Sequence, residues 1–366
     1  MKKKILYIVL AVLFVLVSAD IILTINKEII QTTNITKTEK EVTVTDKGIA
    51  DAVDELMDAT VIVEITNGGQ VTGWGSGFVY KTDDSNAYII TNYHVTDNYR
   101  EVTIEFTDAS TTTGKVIGGD EYTDVSVIKV DKNSIKKTAK IGTTTDLRSG
   151  DTVFAIGTPV SMNLKFTVTR GILSGKDRLL PMTSSSNSNI FGNYNTNAES
   201  WYINLLQIDA SINSGNSGGP LANSNGEVIG ITNSKLSSSS IENIGFAVPI
   251  EDVENVANQV IEKGEVSRPY AGVGLAEIVQ AYKAGLIDTY EGLSGIVIGT
   301  VEDNSPAAKA GLKKGDIITK INDHVITSVN YFKYYLNRYK VGDKVTISYT
   351  RDGKDNTTEL ELGKKS

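Results

Sequence analysis

The sequence predicts a mainly β protein, arranged as antiparallel barrels or a sandwich, with one apolar helix at its N-terminus. Two observations predict the β class. Short runs of β-branched and aromatic residues recur along most of the 366 residues, and Gly, Asp or Asn clusters separate them. A third observation, Lys2-Lys3-Lys4 ahead of an apolar stretch, predicts the helix. With 40% hydrophobic and 22% charged residues the composition is that of a globular protein, long enough for two domains and a tether. The formal net charge is −8, from 36 Lys and Arg against 44 Asp and Glu. An acidic surface repels a polyanion, so no nucleic acid is expected as a partner. Cysteine is absent, which excludes disulfides and thiol nucleophiles. Neither of the two histidines has a ligand spacing such as H-E-x-x-H, so no catalytic metal is expected.

The first element runs from Ile5 to Ala19, then Asp20, then Ile21 to Ile25. As a helix, residues 5 to 25 reach about 30 Å, enough to cross a bilayer, with Asp20 near the far interface. The lysines keep the N-terminus in the cytoplasm and send the rest of the chain across the membrane. Val17-Ser18-Ala19 also reads as a cleavage site after a signal-peptide core. The anchor is preferred because apolar residues continue past Asp20, and either reading places the remainder outside the cytoplasm. Residues 26 to 47 are rich in Thr, Lys and Glu without an apolar period and read as a stalk.

A short helical pattern covers Ile49 to Met57. Strands are then predicted at Val61–Ile65, Gly77–Tyr80, Ala87–Ile90, Val102–Phe106, Val125–Val130, Val153–Ile156, Phe166–Thr169, Leu205–Asp209 and Val228–Thr232. Residues 182 to 200, heavy in Ser and Asn, read as a long polar loop, and Ser237 to Ser240 as a second polar stretch. Val253, Val256 and Val260 within Ile250–Ile261 have helical spacing, which predicts a helix closing the first domain. Lys263 to Arg268 reads as a hinge, and residues 269 to 363 form a compact unit of their own.

The sharpest chemical motif is Gly215-Asn216-Ser217-Gly218-Gly219-Pro220. Glycines around a serine allow turn angles that expose the hydroxyl and leave nearby N–H groups free to converge. Such convergence suits an oxyanion hole, here from the N–H groups of Gly215 and Ser217. A serine hydroxyl needs a base, and His94, in Thr91-Asn92-Tyr93-His94-Val95 at the end of a predicted strand, can supply one. Asp124, at the start of an apolar strand, can orient that imidazole. The chain order His, Asp, Ser is that of the chymotrypsin architecture. Gly215 to Gly219 also fits the G-x-S-x-G of α/β-hydrolases, but that fold needs Ser, acid, His in order, with His324 as base, and parallel strands alternating with helices. The short strands before Ser217 disfavour it.

These residues resemble the HtrA (DegP-like) family of trypsin-like serine proteases over roughly residues 48 to 363. The resemblance also rests on Gly75-Ser76-Gly77-Phe78, Ala155-Ile156-Gly157-Thr158-Pro159, Thr169 to Ser174, Gln207 to Ala210, Asn213 to Leu221 and Ile244 to Pro249. Ser126 departs from the usual alanine, harmlessly if its hydroxyl finds a partner. The resemblance implies a chymotrypsin-like double β-barrel with the site between two six-stranded barrels, followed by an α+β PDZ domain. It implies ATP-independent endoproteolysis of unfolded or misfolded proteins, no cofactor, and homotrimers. The implied division is 1–25 anchor or signal, 26–47 stalk, 48–263 protease and 264–366 PDZ domain. By the same resemblance, residues 175 to 200 sense activation and 232 to 243 line the pocket for a small or medium aliphatic residue before the cut. In the PDZ-like unit, Arg268 to Val273 resembles the carboxylate-binding entry, with Tyr270, Ala271, Gly272 and Val273 receiving peptide C-termini, and Asn304 to Asn322 resembles the family's S-P-A-x-x-A-G-L-x-x-G-D core. Bare N–H groups at the glycine and strand addition by the peptide give this binding its physics. Val329, Phe332 and Leu336 make one apolar stripe, and Asp352-Gly353 a hairpin turn. His324, beside Asp323, reads as a solvated loop residue.

Overall fold

The computed structural model of the chain describes residues 46–183, 200–234 and 243–364. The predicted anchor, nearly all of the stalk, most of the 182–200 loop and Ser237–Ser240 lie outside the described residues. Among the described residues no helix is long and apolar enough to cross a membrane.

Helix α1 (Asp46–Met57) begins three positions before the predicted pattern and turns Ile49, Ala52 and Leu56 inward. The first barrel follows: β1 (Thr60–Asn67), β2 (Gln70–Thr82), β3 (Asn86–Thr91), β4 (Glu101–Glu105), β5 (Thr111–Asp120) and β6 (Val125–Asp131). They close in the order β1-β2-β3-β6-β5-β4, with every pairing antiparallel. A four-residue helix, α2 (Tyr93–Thr96), interrupts the barrel between β3 and β4. Alternation sorts the strands' side chains. Val61, Val63, Val79, Ile89, Ile104 and Ile128 form one buried cluster, while Phe78, Ile90, Val125 and Val127 join another shared with the second barrel. Each such fully buried side chain stabilises the fold by roughly 1.5–3 kcal/mol. Strand β5 is a feature the pattern does not announce. Thr111-Thr112-Thr113-Gly114 has no apolar alternation, and β5 is a strand because β4 and β6 pair with its two edges.

The second barrel comprises β7 (Lys140–Ile141), β8 (Thr152–Gly157), β9 (Thr167–Thr183), β10 (Ser200–Ile208), β11 (Pro220–Asn223), β12 (Glu227–Thr232) and β13 (Gly245–Pro249). Six of these close in the order β11-β8-β9-β10-β13-β12, and β7 adds to β12 in parallel. The β9–β10 ladder continues to the pair Thr183 and Ser200, so Met182, Thr183 and Ser200 belong to strands rather than to the polar loop expected over 182 to 200. Cross-strand bonds override local polarity there. Ser126, the departure noted above, is fully buried, and its hydroxyl accepts a 2.7 Å hydrogen bond from Thr96 Oγ1. Helix α3 (Ile250–Lys263) then packs Val253, Val256, Ala257 and Val260 across both barrels and ends at Gly264, φ +77.

The C-terminal unit contains β14 (Pro269–Tyr270), β15 (Val273–Glu277), β16 (Ile296–Val301), β17 (Ile317–Ile321), β18 (His324–Val325), β19 (Lys344–Arg351), β20 (Lys354–Glu361) and β21 (Gly363–Lys364). Its helices are α4 (Ile278–Lys283), α5 (Pro306–Lys309) and α6 (Val329–Asn337). The main sheet runs β15-β16-β17-β19-β20. Ser305 caps α5 by accepting the N–H of Ala308 at 3.1 Å, with Pro306 at the first helical position. Asp352 and Gly353 have φ +50 and +72, the left-handed pair that a two-residue hairpin requires. Phe332 is 2% exposed core, with Val329 and Leu336 packed at its rim. His324 is exposed, yet it is not a free loop residue. It pairs with Ile321 and stacks on Tyr335 at 4.1 Å, because β17 extends a short hairpin through it.

Candidate active site

Two turns and one loop deliver the three candidate side chains to a cleft between the barrels. Asp124 precedes β6 at φ +55, a left-handed conformation that Asp tolerates better than most residues. The turn around His94 holds it there. The Asp124 carbonyl accepts the N–H of Tyr93 at 3.1 Å and Asn92 Nδ2 at 2.8 Å, and its Oδ1 accepts the N–H of His94 at 2.9 Å. Its Oδ2 lies 2.7 Å from His94 Nδ1. Because a carboxylate only accepts, the proton sits on Nδ1 and Nε2 is free as a base. Asp124 is 4% exposed, and the His94 side chain is 26% exposed toward the cleft.

Ser217 arrives on the loop between β10 and β11. Ser76 N–H donates to the Ser217 carbonyl at 2.8 Å, and Ser76 Oγ donates to the Gly215 carbonyl at the same distance. Thr232 Oγ1 donates to the Asn216 carbonyl at 2.6 Å. Every carbonyl from Gly215 to Ser217 is therefore engaged from outside the turn. Gly215 and Gly218 have φ +97 and +85, and a Cβ would collide with the Thr158 carbonyl at the first and with the Ser76 carbonyl and Thr91 hydroxyl at the second. Among the described residues the N–H groups of Gly215 and Ser217 have no protein acceptor. They are available to a developing oxyanion.

The cleft has a volume of about 270 Å³, and Trp74, His94, Val95, Tyr99, Gly215, Ser217 and Ser234 line much of it. His94 and Ser217 thus face the same space. Ser217 Oγ, however, is 2.5 Å from Ser234 Oγ and accepts the Ser234 N–H at 3.2 Å. Among the described residues no hydrogen bond joins it to His94.

Asn233 falls within the 232 to 243 segment that the resemblance assigned to the pocket, but the sequence does not mark it as a partner of Asp124. It is fully buried and donates Nδ2 to Asp124 Oδ2 at 2.8 Å, across 109 positions of chain. Ser76, inside β2, and Ser234, two residues past the end of β12, carry no motif of their own that announces their contacts with the Ser217 turn. No group of three or more His, Asp or Glu side chains suited to a metal occurs among the described residues.

The four PDZ candidates lie on one stretch of backbone entering β15, beside α6. Tyr270 pairs with Gly363 and donates its hydroxyl to Glu302. Ala271 is buried and its carbonyl accepts Ala307 N–H at 2.9 Å. Gly272, at φ +78, accepts Glu302 N–H at 2.9 Å, and Val273 begins the pairing with Val301.

Comparison with known proteins bears on both units. The family model described as a trypsin-like peptidase domain matches residues 75–231, and that of the PDZ domain matches 244–362. A serine protease Do-like HtrA of Lactococcus lactis is 36% identical over 311 residues, covering 82% of this chain and 73% of that protein. The Bacillus subtilis protein of the same description is 37% identical over 300 residues, 80% of this chain and 64% of its own length. The chain therefore spans a little under two thirds of the Bacillus relative. Among solved structures, an HtrA-type protease AlgW with tripeptide matches at TM-score 0.65 and 29% identity, over 87% of this chain and 97% of that one. A serine endoprotease from Yersinia pestis matches at TM-score 0.60 and 29% identity, over 87% and 98%.

Proposed function

The chain belongs to the HtrA family of trypsin-like serine proteases with a PDZ domain, and from that premise we propose that it is a serine endopeptidase acting through His94, Asp124 and Ser217. The observation that carries this reading is the single cleft that holds the Asp124-oriented imidazole, the Ser217 hydroxyl and two free backbone N–H groups.

In the reaction so read, His94 Nε2 takes the proton of Ser217 Oγ as that oxygen bonds to the scissile carbonyl carbon. The carbonyl oxygen becomes an oxyanion held by the N–H groups of Gly215 and Ser217. Collapse breaks the C–N bond, and His94 returns the proton to the leaving amine. A water, deprotonated by the same imidazole, then releases the acyl group from Ser217. Asp124 stays ionised throughout and stabilises the imidazolium. No metal or cofactor enters this scheme.

The substrate class we assign is unfolded or misfolded protein, cleaved without ATP, with the PDZ unit receiving peptide C-termini at Tyr270 to Val273. Both units lie outside the cytoplasm in this reading, on a single-pass anchor formed by residues 5 to 25, or secreted if Ala19 ends a cleaved signal. Family resemblance supports a homotrimer. The test of the central assignment is Ser217→Ala: cleavage of a denatured protein should fall at least 1,000-fold, on the order expected for loss of a nucleophile, with the melting temperature retained. Mass spectrometry of the products from both enzymes reads the loss and, in the wild type, the residue before each cut. Undiminished proteolysis by the variant rules the assignment out.

The Ser217–Ser234 bond favours a second reading, a PDZ-directed binding or chaperone-like protein in which proteolysis is minor. Fluorophosphonate labelling separates the two: an unreactive Ser217 under all conditions supports the scaffold.

A further inference from the structure

Ser217 is not poised on its base, and one residue accounts for that. We propose that Ser234 is a positioning residue that holds the Ser217 hydroxyl in a resting orientation, from which it must be released before attack. This inference rests on the reading of Ser217 as nucleophile.

A serine hydroxyl offers one proton and two lone pairs. The Ser234 N–H takes a lone pair of Ser217 Oγ at 3.2 Å, and the 2.5 Å contact with Ser234 Oγ takes either the proton or the other lone pair. Attack on a carbonyl needs one lone pair for the new bond and the proton directed at His94 Nε2. Both Ser234 contacts therefore favour the ground state over the transition state, and such contacts slow the chemical step. The residue before it ties Ser234 to this place. The preceding residue, Asn233, is fully buried, donates its N–H to the Phe246 carbonyl at 2.9 Å and ties its side chain to Asp124. One dipeptide thus reaches both ends of the constellation: Asn233 orients the carboxylate, and Ser234 holds back the alcohol. Ser234 also lines the cleft. A substrate that fills the space can compete for the Ser234 N–H and hydroxyl, and so free Ser217 as it binds.

Replacing Ser234 by alanine removes the hydroxyl contact and leaves the backbone one. A net hydrogen bond of ordinary strength corresponds to a rate change of about three- to tenfold. The experiment measures fluorophosphonate labelling rate, and kcat and KM on a small ester, for the full-length protein. Ser234→Ala should label about three- to tenfold faster and gain in kcat rather than in KM. Ser234→Thr, which keeps a hydroxyl, should label more slowly than Ser234→Ala, and Ser234→Gly supplies the same comparison should the alanine variant misfold. A purely structural role predicts slower labelling, so labelling of Ser234→Ala and Ser234→Gly at or below the wild-type rate overturns the proposal. Ser217→Ala is the control that separates the two levels. If it still labels, the nucleophile is misassigned; if it is silent while the Ser234 variants gain nothing, only the holding role fails.

Discussion

Asp124 Oδ2 carries two donors, the imidazole of His94 and the amide of Asn233, and the second is the one without precedent in the motif pattern. A hydrogen bond to a charged group contributes about 1.5–3 kcal/mol, more than one between neutral groups. Losing it leaves Oδ2 with the imidazole as its one donor among the described residues, loosens the carboxylate's orientation toward Nδ1 and weakens its hold on the imidazolium. Asn233→Ala is therefore expected to lower kcat/KM about 10- to 100-fold, with KM nearly unchanged because Asn233 is buried away from the cleft. Steady-state kinetics on a short peptide check this; a kcat within twofold of wild type would mean that the backbone bonds to Asp124 suffice alone.

At the scale of elements, α3 and α6 meet around a buried carboxyl. Asp252, in the first turn of α3, lies 3.5 Å from Arg338 Nε and 3.5 Å from the Tyr334 hydroxyl, both contributed by α6 and the residue that caps it. Burial pushes the Asp252 carboxyl up to about 6, and Arg338 offsets only part of that. A folded-state value raised above the ordinary carboxylate range means that the folded protein binds this proton more tightly than the unfolded chain. The stabilisation is complete below about pH 4 and is lost as pH rises through about 6. Above that range the ionised carboxylate costs about 3 kcal/mol relative to its protonated form. Asp252→Asn removes the ionisation and keeps the shape, so its melting temperature should exceed the wild type's at pH 8 and converge on it near pH 4. Thermal melts across that range decide it; an offset independent of pH would place the effect elsewhere.

Across the whole molecule, α6 has two duties. One side of it borders β15 and the entry Tyr270 to Val273, and another, through Tyr334 and Arg338, rests on α3 of the protease. Beside that contact, Trp201 of β10 donates to the carbonyl of Tyr122 in the β5–β6 turn at 2.9 Å, and Arg268, just before β14, grips Asp120 at the end of β5 at 2.5 and 2.7 Å. Asp120 is four positions from Asp124, and the same carboxylate accepts the N–H of Thr123 at 2.9 Å. A peptide that adds to β15 and shifts α6 therefore acts on contacts one step from the candidate site. The expected result is that a hydrophobic C-terminal peptide raises turnover of a small substrate several-fold. A rate that stays constant to peptide saturation would confine the PDZ unit to recruitment.

The sequence by itself determined the β class and the order of a trypsin-like unit before a PDZ unit, and it offered the candidate residues of the chemistry. Ser217 among glycines, His94 after a strand and Asp124 before one are local patterns, and period and turn chemistry are local properties. It did not determine β5, whose polar Thr111 to Gly114 start has no apolar alternation, or the four-residue β11; each becomes a strand because two neighbours pair with it. Nor did it determine that Asn233 donates to Asp124, that Ser217 turns to Ser234, or that α6 rests on α3. Those outcomes depend on distances between residues 17 to 109 positions apart or on different units, and barrel closure and helix packing set them as the chain folds. A polar residue at a strand end looks the same in sequence whether water or a buried carboxylate receives its proton; only packing excludes the water.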